Sequence, residues 1–189
     1  MSYAYDFQNL TVGAHALAVA DGLVVYASGS MTCNQIQPSC PDYNTDCPGS
    51  YLGNQVIIQH ADGTFSAFSH LAPNSIQVEV GTSACQGLYV ARQGHTGSTS
   101  GPFNNCGDHL HFQRQMSPDA AGQSIPVTFS DVASHPLSCG SPYSTSSTEI
   151  AHSIASSSQS FQIPGGNGTV AVTSSGCSWD AVSNVSWIT

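Results

Sequence analysis

Short β-branched or aromatic runs, cut by Gly, Asn, Asp and Pro, recur along the first 132 residues, and no stretch carries a helical apolar period of useful length. The runs GLVVYAS (Gly22 to Ser28), QVIIQH (Gln55 to His60), TFSAFSHL (Thr64 to Leu71), SIQVEV (Ser75 to Val80), GLYVAR (Gly87 to Arg92), His109 to Met116 and Pro126 to Val132 all read as strands. The pattern predicts an all-β fold built on an antiparallel sheet. Between QVIIQH and TFSAFSHL stands Ala61-Asp62-Gly63, and an Asp-Gly pair tolerates the positive φ angles of a tight turn. Those two strands should pair as a hairpin. Strict alternation sets Phe65, Ala67 and Leu71 against Ser66, Phe68 and His70, and sets Leu110, Phe112 and Met116 against His109, His111, Gln113 and Gln115. One face of the second strand is therefore core and the other a polar wall.

From Gly29 to Tyr51 the pattern lapses into a loop with three cysteines and several prolines and glycines, too long for a simple turn, which disulfides should pin. After about Ser134 the chain becomes Ser-rich, and from about Ser160 a new pattern begins. The organisation expected is a main domain over 1–138, a Ser-rich linker over 139–158, and a partial β-sandwich over 159–189.

Composition narrows the function. There is no lysine, arginine stands only at Arg92 and Arg114, and the formal charge is −9. Nothing here neutralises a row of phosphates, so nucleic acid is excluded as a partner. Seven cysteines in a chain rich in Ser, Thr, Gly and Asn point to an exported protein, secreted or held in the cell envelope. None lies in a CxxC pair, which disfavours a zinc ribbon, and the odd count leaves at least one without an internal partner. The opening MSYAYDF has no basic start, and the mildly apolar stretch from Leu10 to Ala27 is broken by His15, Asp21 and Gly22. It is neither a signal peptide nor a transmembrane helix.

Eight histidines are present, and composition alone would yield about 0.3 His-x-His pairs, so HLH at residues 109 to 111 is weak by itself. Two imidazoles on one strand face can nevertheless reach one metal, as ligand and as proton donor or acceptor, whereas the plain alternative is an exposed face that happens to carry them. His70, at the end of TFSAFSHL, tips the balance toward chemistry.

The order VIIQHADGTFSAFSHL, SIQVEVG, GLYVARQGHTGSTSGP and DHLHFQ resembles the lysostaphin/LytM-type zinc endopeptidases (duplicated hybrid motif), which cut peptidoglycan peptides. The resemblance runs from YAYDF at residues 3 to 7 through about Val132. It implies Zn2+ held by Asp6 and His111 with a water completing the metal, His70 and His109 as the catalytic pair, and peptidoglycan stem or cross-bridge peptides as the partner. One position departs from the motif: its first ligand is a histidine upstream of the aspartate, yet Ser2 stands four residues before Asp6 and no histidine lies between Met1 and Leu10. Either the chain starts downstream of that ligand, the favoured reading since both ends look clipped, or it is a degenerate member. In the latter case it would bind wall peptides, or regulate a wall hydrolase, without cutting.

The remaining histidines read more plainly. His15 lies past the strand that carries Asp6 and is taken as a surface residue; His60 is structural; His95 either lines the substrate groove or is a solvated loop residue; His135 and His152 fall in linker-like sequence. The loop from Gly94 to Pro102 lacks the context of a phosphate cradle and is expected to wall a groove for an extended peptide, with Ser98 and Ser100 no nucleophiles. The tail SFQIPGGNGTVAVTSSGCSWDAVSNVSWIT resembles the opening strands of BACON-type immunoglobulin-like modules, and Val170, Val172, Trp179 and Trp187 would pack loosely without the remaining strands. The acidic charge disfavours simple adsorption to anionic wall polymers, leaving docking to adjacent surface-binding modules.

Overall fold

The computed structural model describes residues 3–8, 11–101, 106–133, 135–144, 149, 152–154 and 171–174. They fall into two compact units, Met1–Thr148 and Glu149–Thr189. In chain order the strands are β1 (Tyr5–Phe7), β2 (His15–Leu17), β3 (Gly22–Ser28), β4 (Asn54–Gln59), β5 (Phe65–Leu71), β6 (Ser83–Ala84), β7 (Tyr89–Arg92), β8 (Leu110–Gln115), β9 (Ser124–Ile125), β10 (His152–Ile154) and β11 (Val172–Ser174).

The first unit is built on a seven-stranded sheet in the order β1-β8-β5-β4-β3-β6, with β9 also paired to β8. Every pairing in it is antiparallel. The β4–β5 hairpin closes where the Asp-Gly pair places it: the His60 amide donates to the Thr64 carbonyl at 2.8 Å, and Gly63 takes φ +80°, which a side chain would resist. The apolar positions of the long strands, Val24, Val56, Ile58, Phe68, Leu71 and Phe112, gather on one face. A separate antiparallel ribbon, β2 with β7, packs Ala16, Val90 and Ala91 into the same core. Truncating Phe68, 1% exposed, should cost about 3–5 kcal/mol in lost transfer energy and cavity.

Several expectations need correction. SIQVEV is not a strand: the Gln77 amide donates to the Val90 carbonyl, but the stretch joins no ladder, and Val80 is exposed. Nor is Pro126 to Val132, since pairing to β8 ends with β9 at Ile125, just before a residue with no amide proton. β2 and β6 were not anticipated, because three or two residues carry no readable period. Met116 lies past the end of β8 and is 61% exposed, so it is not core. The polar wall of β8 is itself buried: Gln113 and Gln115 donate to the carbonyls of Gly122 at 2.9 Å and of Ser117 at 2.7 Å, in the turn that folds over that face. The sheet is thus covered on both sides there.

The loop between β3 and β4 is pinned as expected, by Cys33–Cys47 within it and by Cys40–Cys106 to the segment leading into β8. Cys139 is a free, exposed thiol. In the second unit β10 pairs antiparallel with β11, and β10 falls inside the 139–158 stretch read as linker. Most of the BACON-like segment, including Val170, Trp179 and Trp187, lies outside the described residues.

Candidate functional site

Pairing β8 between β1 and β5 decides which side chains meet. In the registers Asp6↔His111 and Ser69↔His111, directly opposed residues share a face, so a carboxylate 105 positions away lies beside the His-x-His pair. Asp6 Oδ1 stands 2.8 Å from His111 Nδ1 and 3.6 Å from His109 Nε2. His109 is fixed just before the strand, its amide donating to the Gly94 carbonyl at 3.0 Å. Position 94 must be glycine, because a Cβ there would meet the Ala72 backbone at 2.7 Å.

His70 reaches the same cluster by breaking the alternation. On a regular strand it would share the face of Phe68, which pairs with Phe112 in the core, opposite His111. Instead β5 carries an extra residue relative to β4 between Phe68 and Leu71, and His70 takes φ +59°. Such bulges re-aim a side chain. The His70 ring centroid lies 4.8 Å from that of His109 and 5.9 Å from that of His111, and Leu71 turns into the core instead. One nitrogen from each of the three imidazoles lies within 4.8 Å of those from the other two.

The hydrogen-bond partners fix which ring nitrogens carry protons. A carbonyl only accepts, so His70 Nδ1 donates to Thr96 O at 2.9 Å and His109 Nδ1 to Gly107 O at 2.7 Å, leaving each Nε2 with a lone pair. Gln113 spends its amide nitrogen on Gln115 Oε1 and Gly122 O, so its oxygen faces His111 Nε2 at 3.4 Å, a long hydrogen bond. With the proton of His111 on Nε2, its Nδ1 lone pair points at the Asp6 carboxylate across 2.8 Å. Two acceptors that close need a cation between them, a proton or a metal. Donor atoms of a tetrahedral zinc with bonds of about 2.0 Å stand about 3.3 Å apart, and Asp6 Oδ1 and His111 Nδ1, 2.8 Å apart, would need to part by only about 0.5 Å to share one. The donor set therefore fits zinc.

Electrostatics separates the groups. When the cation between them is a proton, the His111 hydrogen bond holds the Asp6 carboxyl below its usual range, with the charges of His109, His111 and His70 adding to it and partial burial opposing. Burial foremost, with the neighbouring histidines adding to it and the Thr96 carbonyl and Asp6 opposing, pushes His70 down to about 4. At neutral pH His70 is a neutral base. Asp6, its side chain 59% exposed, leaves the cluster open to water.

The other histidines sort by their partners. His60 bonds the Asp21 carbonyl at 2.8 Å and Ser66 Oγ at 2.7 Å, a structural role. His15 is stacked on Tyr89 at 4.3 Å, on the ribbon rather than on the sheet that carries the cluster. His135 is bonded to the Phe129 carbonyl at 3.0 Å and stacked on that ring, and is no idle linker residue. His95 is not solvated: its Nδ1 meets Asp108 at 3.0 Å and its Nε2 meets Asp42 at 3.1 Å. Those partners raise its pKa, the Asp108 hydrogen bond foremost, against partial desolvation. Ser98 donates to Gln35 Oε1 at 3.0 Å and is no nucleophile. An apolar hollow of about 620 Å³ lies by Phe7, Leu110, Phe112 and Phe129, on the core face, and none of the four site residues lines it. Sequence reading did not reach Gln113 as a partner of His111, although parity had already placed both on one face.

Residues 1–123 match the family model described as peptidase family M23. Over 115 residues the chain is 30% identical to the cell division protein DipM of Caulobacter vibrioides, covering 61% of this chain and 15% of that protein. The chain thus spans about 15% of the length of the curated relative it matches. Among solved structures it is similar to the catalytic domain of the antimicrobial peptidase lysostaphin from Staphylococcus simulans, with 24% identity, a TM-score of 0.42, and 65% of this chain and 74% of that chain covered. It is also similar to a zinc-containing peptidase from Vibrio cholerae, with 23% identity, a TM-score of 0.39, and 58% and 28% covered.

Proposed function

The chain belongs to peptidase family M23, and on that premise we propose that it is a zinc-dependent endopeptidase of the cell envelope or its surroundings, hydrolysing peptide bonds in peptidoglycan stem or cross-bridge peptides. The observation that carries the reading is the Asp6–His111 pair: a carboxylate oxygen and an imidazole nitrogen 2.8 Å apart, with Gln113 holding the proton of that imidazole on its far side. Asp6 Oδ1 and His111 Nδ1 would hold the zinc, which when bound supplies a Lewis acid that polarises the peptide carbonyl and acidifies water. His109 Nε2 stands 3.6 Å from Asp6 Oδ1, close enough to act on a group at the metal, and no histidine between Met1 and Leu10 supplies the upstream ligand of the motif.

The proton work falls to His70 and His109. Each commits Nδ1 to a carbonyl, Thr96 for His70 and Gly107 for His109, which leaves Nε2 as the nitrogen free to exchange a proton. His70, neutral through burial, can take a proton from the attacking water, and the imidazolium so formed can pass it to the leaving amine. Whichever imidazole is not accepting can hydrogen-bond the developing oxyanion once protonated.

Digestion of purified cell walls, followed by sequencing of the released peptide termini, tests the reading. New amino termini from stem or cross-bridge peptides, lost in His70→Ala and His109→Ala variants, are expected. A zinc-loaded protein that binds walls and releases no termini would instead be a non-catalytic wall-binding module.

A further inference from the structure

A second constellation, outside the cluster just described, has the composition of a metal site. Cys40 Sγ, a carboxylate oxygen of Asp42, a ring nitrogen of His95 and Cys106 Sγ all lie within 4.8 Å of one another. Cys40 and Cys106 are joined as a disulfide. Asp42 Oδ1 nonetheless stands 2.8 Å from Cys40 Sγ, and an oxidised sulfur has no proton to donate to it. The other oxygen of that carboxylate meets His95 Nε2 at 3.1 Å, while His95 Nδ1 is bonded to the buried carboxylate of Asp108 at 3.0 Å. A carboxylate on the far nitrogen of an imidazole is the arrangement that orients metal-bound histidines and strengthens them as ligands.

The surroundings keep these groups together whether or not the sulfur–sulfur bond exists. The fully buried amide nitrogen of Asn34 donates to the carbonyls of Thr99 at 3.0 Å, His95 at 3.2 Å and Cys106 at 3.3 Å, tying the loop to both partner segments. The Gln35 amide donates to the Gly97 carbonyl at 2.7 Å, and the Asn44 amide to the Asn34 carbonyl at 2.8 Å, contacts that need no cystine. Opening Cys40–Cys106 therefore leaves two thiols beside an oriented imidazole and a carboxylate.

We propose that this is a redox-gated metal site: oxidised it is a cross-link, and reduced it binds a divalent cation through Cys40, Cys106, His95 and Asp42, with Asp108 as the orienting carboxylate. Reduction by a dithiol balances directly, since two electrons and two protons pass from the dithiol to the cystine and the reductant leaves as its own disulfide. Metal entry then releases both thiol protons. Two thiolates, an imidazole and a carboxylate in a compact set select zinc over magnesium or calcium. The site interconverts two fastenings of the loop that borders the segment leading to His109.

The test uses the full chain with Cys139→Ser, reduced with a water-soluble phosphine and titrated anaerobically with Co2+. The expected result is sulfur-to-cobalt charge-transfer absorption in the reduced protein and none in the oxidised protein. That band should weaken in Cys40→Ser and in Cys106→Ser and be lost when both are replaced, be kept in Asp6→Ala and His111→Ala, and show about 10- to 100-fold weaker cobalt affinity in Asp108→Asn. Asp108→Asn and His95→Ala leave the disulfide able to form, so their folding can be checked in the oxidised state. A reduced protein that counts its full complement of thiols but shows no such band overturns the proposal. So does a band that survives replacement of both cysteines, or a protein that unfolds on reduction with cobalt or zinc present.

Discussion

The acceptor pair formed by Asp6 and His111 depends on a third residue, Gln113, whose amide nitrogen is committed elsewhere. Gln113→Met keeps the length of the side chain and removes the oxygen, so it should lower zinc affinity by about 10- to 100-fold as read by competition with a chelating dye. His95 carries the pH dependence. Its pKa is raised above 6.5 by Asp108 and Asp42, so its contribution to stability is full below pH 6.5 and is lost as pH rises through the higher folded value. His70, with its pKa lowered to about 4, works in the opposite direction, but its contribution is complete above pH 6.5 and does not disturb that window. The melting temperature of the oxidised protein should therefore fall as pH rises from 6.5, and His95→Gln should flatten the fall. An unchanged slope in that variant would remove His95 from the account. At this scale YAYDF and DHLHFQ flagged Asp6, His109 and His111, which the fold brings together, whereas the pairing of His95 with two carboxylates was not legible, because Asp42 lies in a loop with no period to place it.

Among the elements, alternation worked where strands were long and regular. It put His109, His111, Gln113 and Gln115 on one face of β8, and the Asp-Gly turn fixed the hairpin that brings β5 alongside. It failed at His70: parity grouped it with Ser66 and Phe68 opposite Phe65, Ala67 and Leu71, whereas Phe68 and Leu71 share the core and a bulge with φ +59° turns His70 to the other histidines. No composition rule reveals such a bulge, because its cause is the pairing of β5 with β4 on one side and β8 on the other. A positive φ costs a side-chain-bearing residue about 1 kcal/mol that glycine does not incur. His70→Gly should thus abolish wall cleavage yet unfold at a higher denaturant midpoint than His70→Ala. Equal midpoints would mean that the turned backbone is not strained. The polar wall also proved to be interior, since the turn after β8 offers carbonyls that satisfy both glutamines.

For the whole molecule, the cysteine content announced cross-links without choosing partners, and the structure gives the loop between β3 and β4 two fastenings. No helix among the described residues is long and apolar enough to cross a membrane. The all-β reading and the peptidase family hold for the first unit; for the second, the described residues supply one antiparallel strand pair. The account as a whole stands on one meeting of distant segments, β1 against β8, and zinc is its reporter. Metal analysis of the oxidised full chain and its alanine variants measures this most directly: zinc should be present in the parent and in His70→Ala, and lost from both Asp6→Ala and His111→Ala. Full zinc occupancy in both of those variants would contradict the assignment of the site.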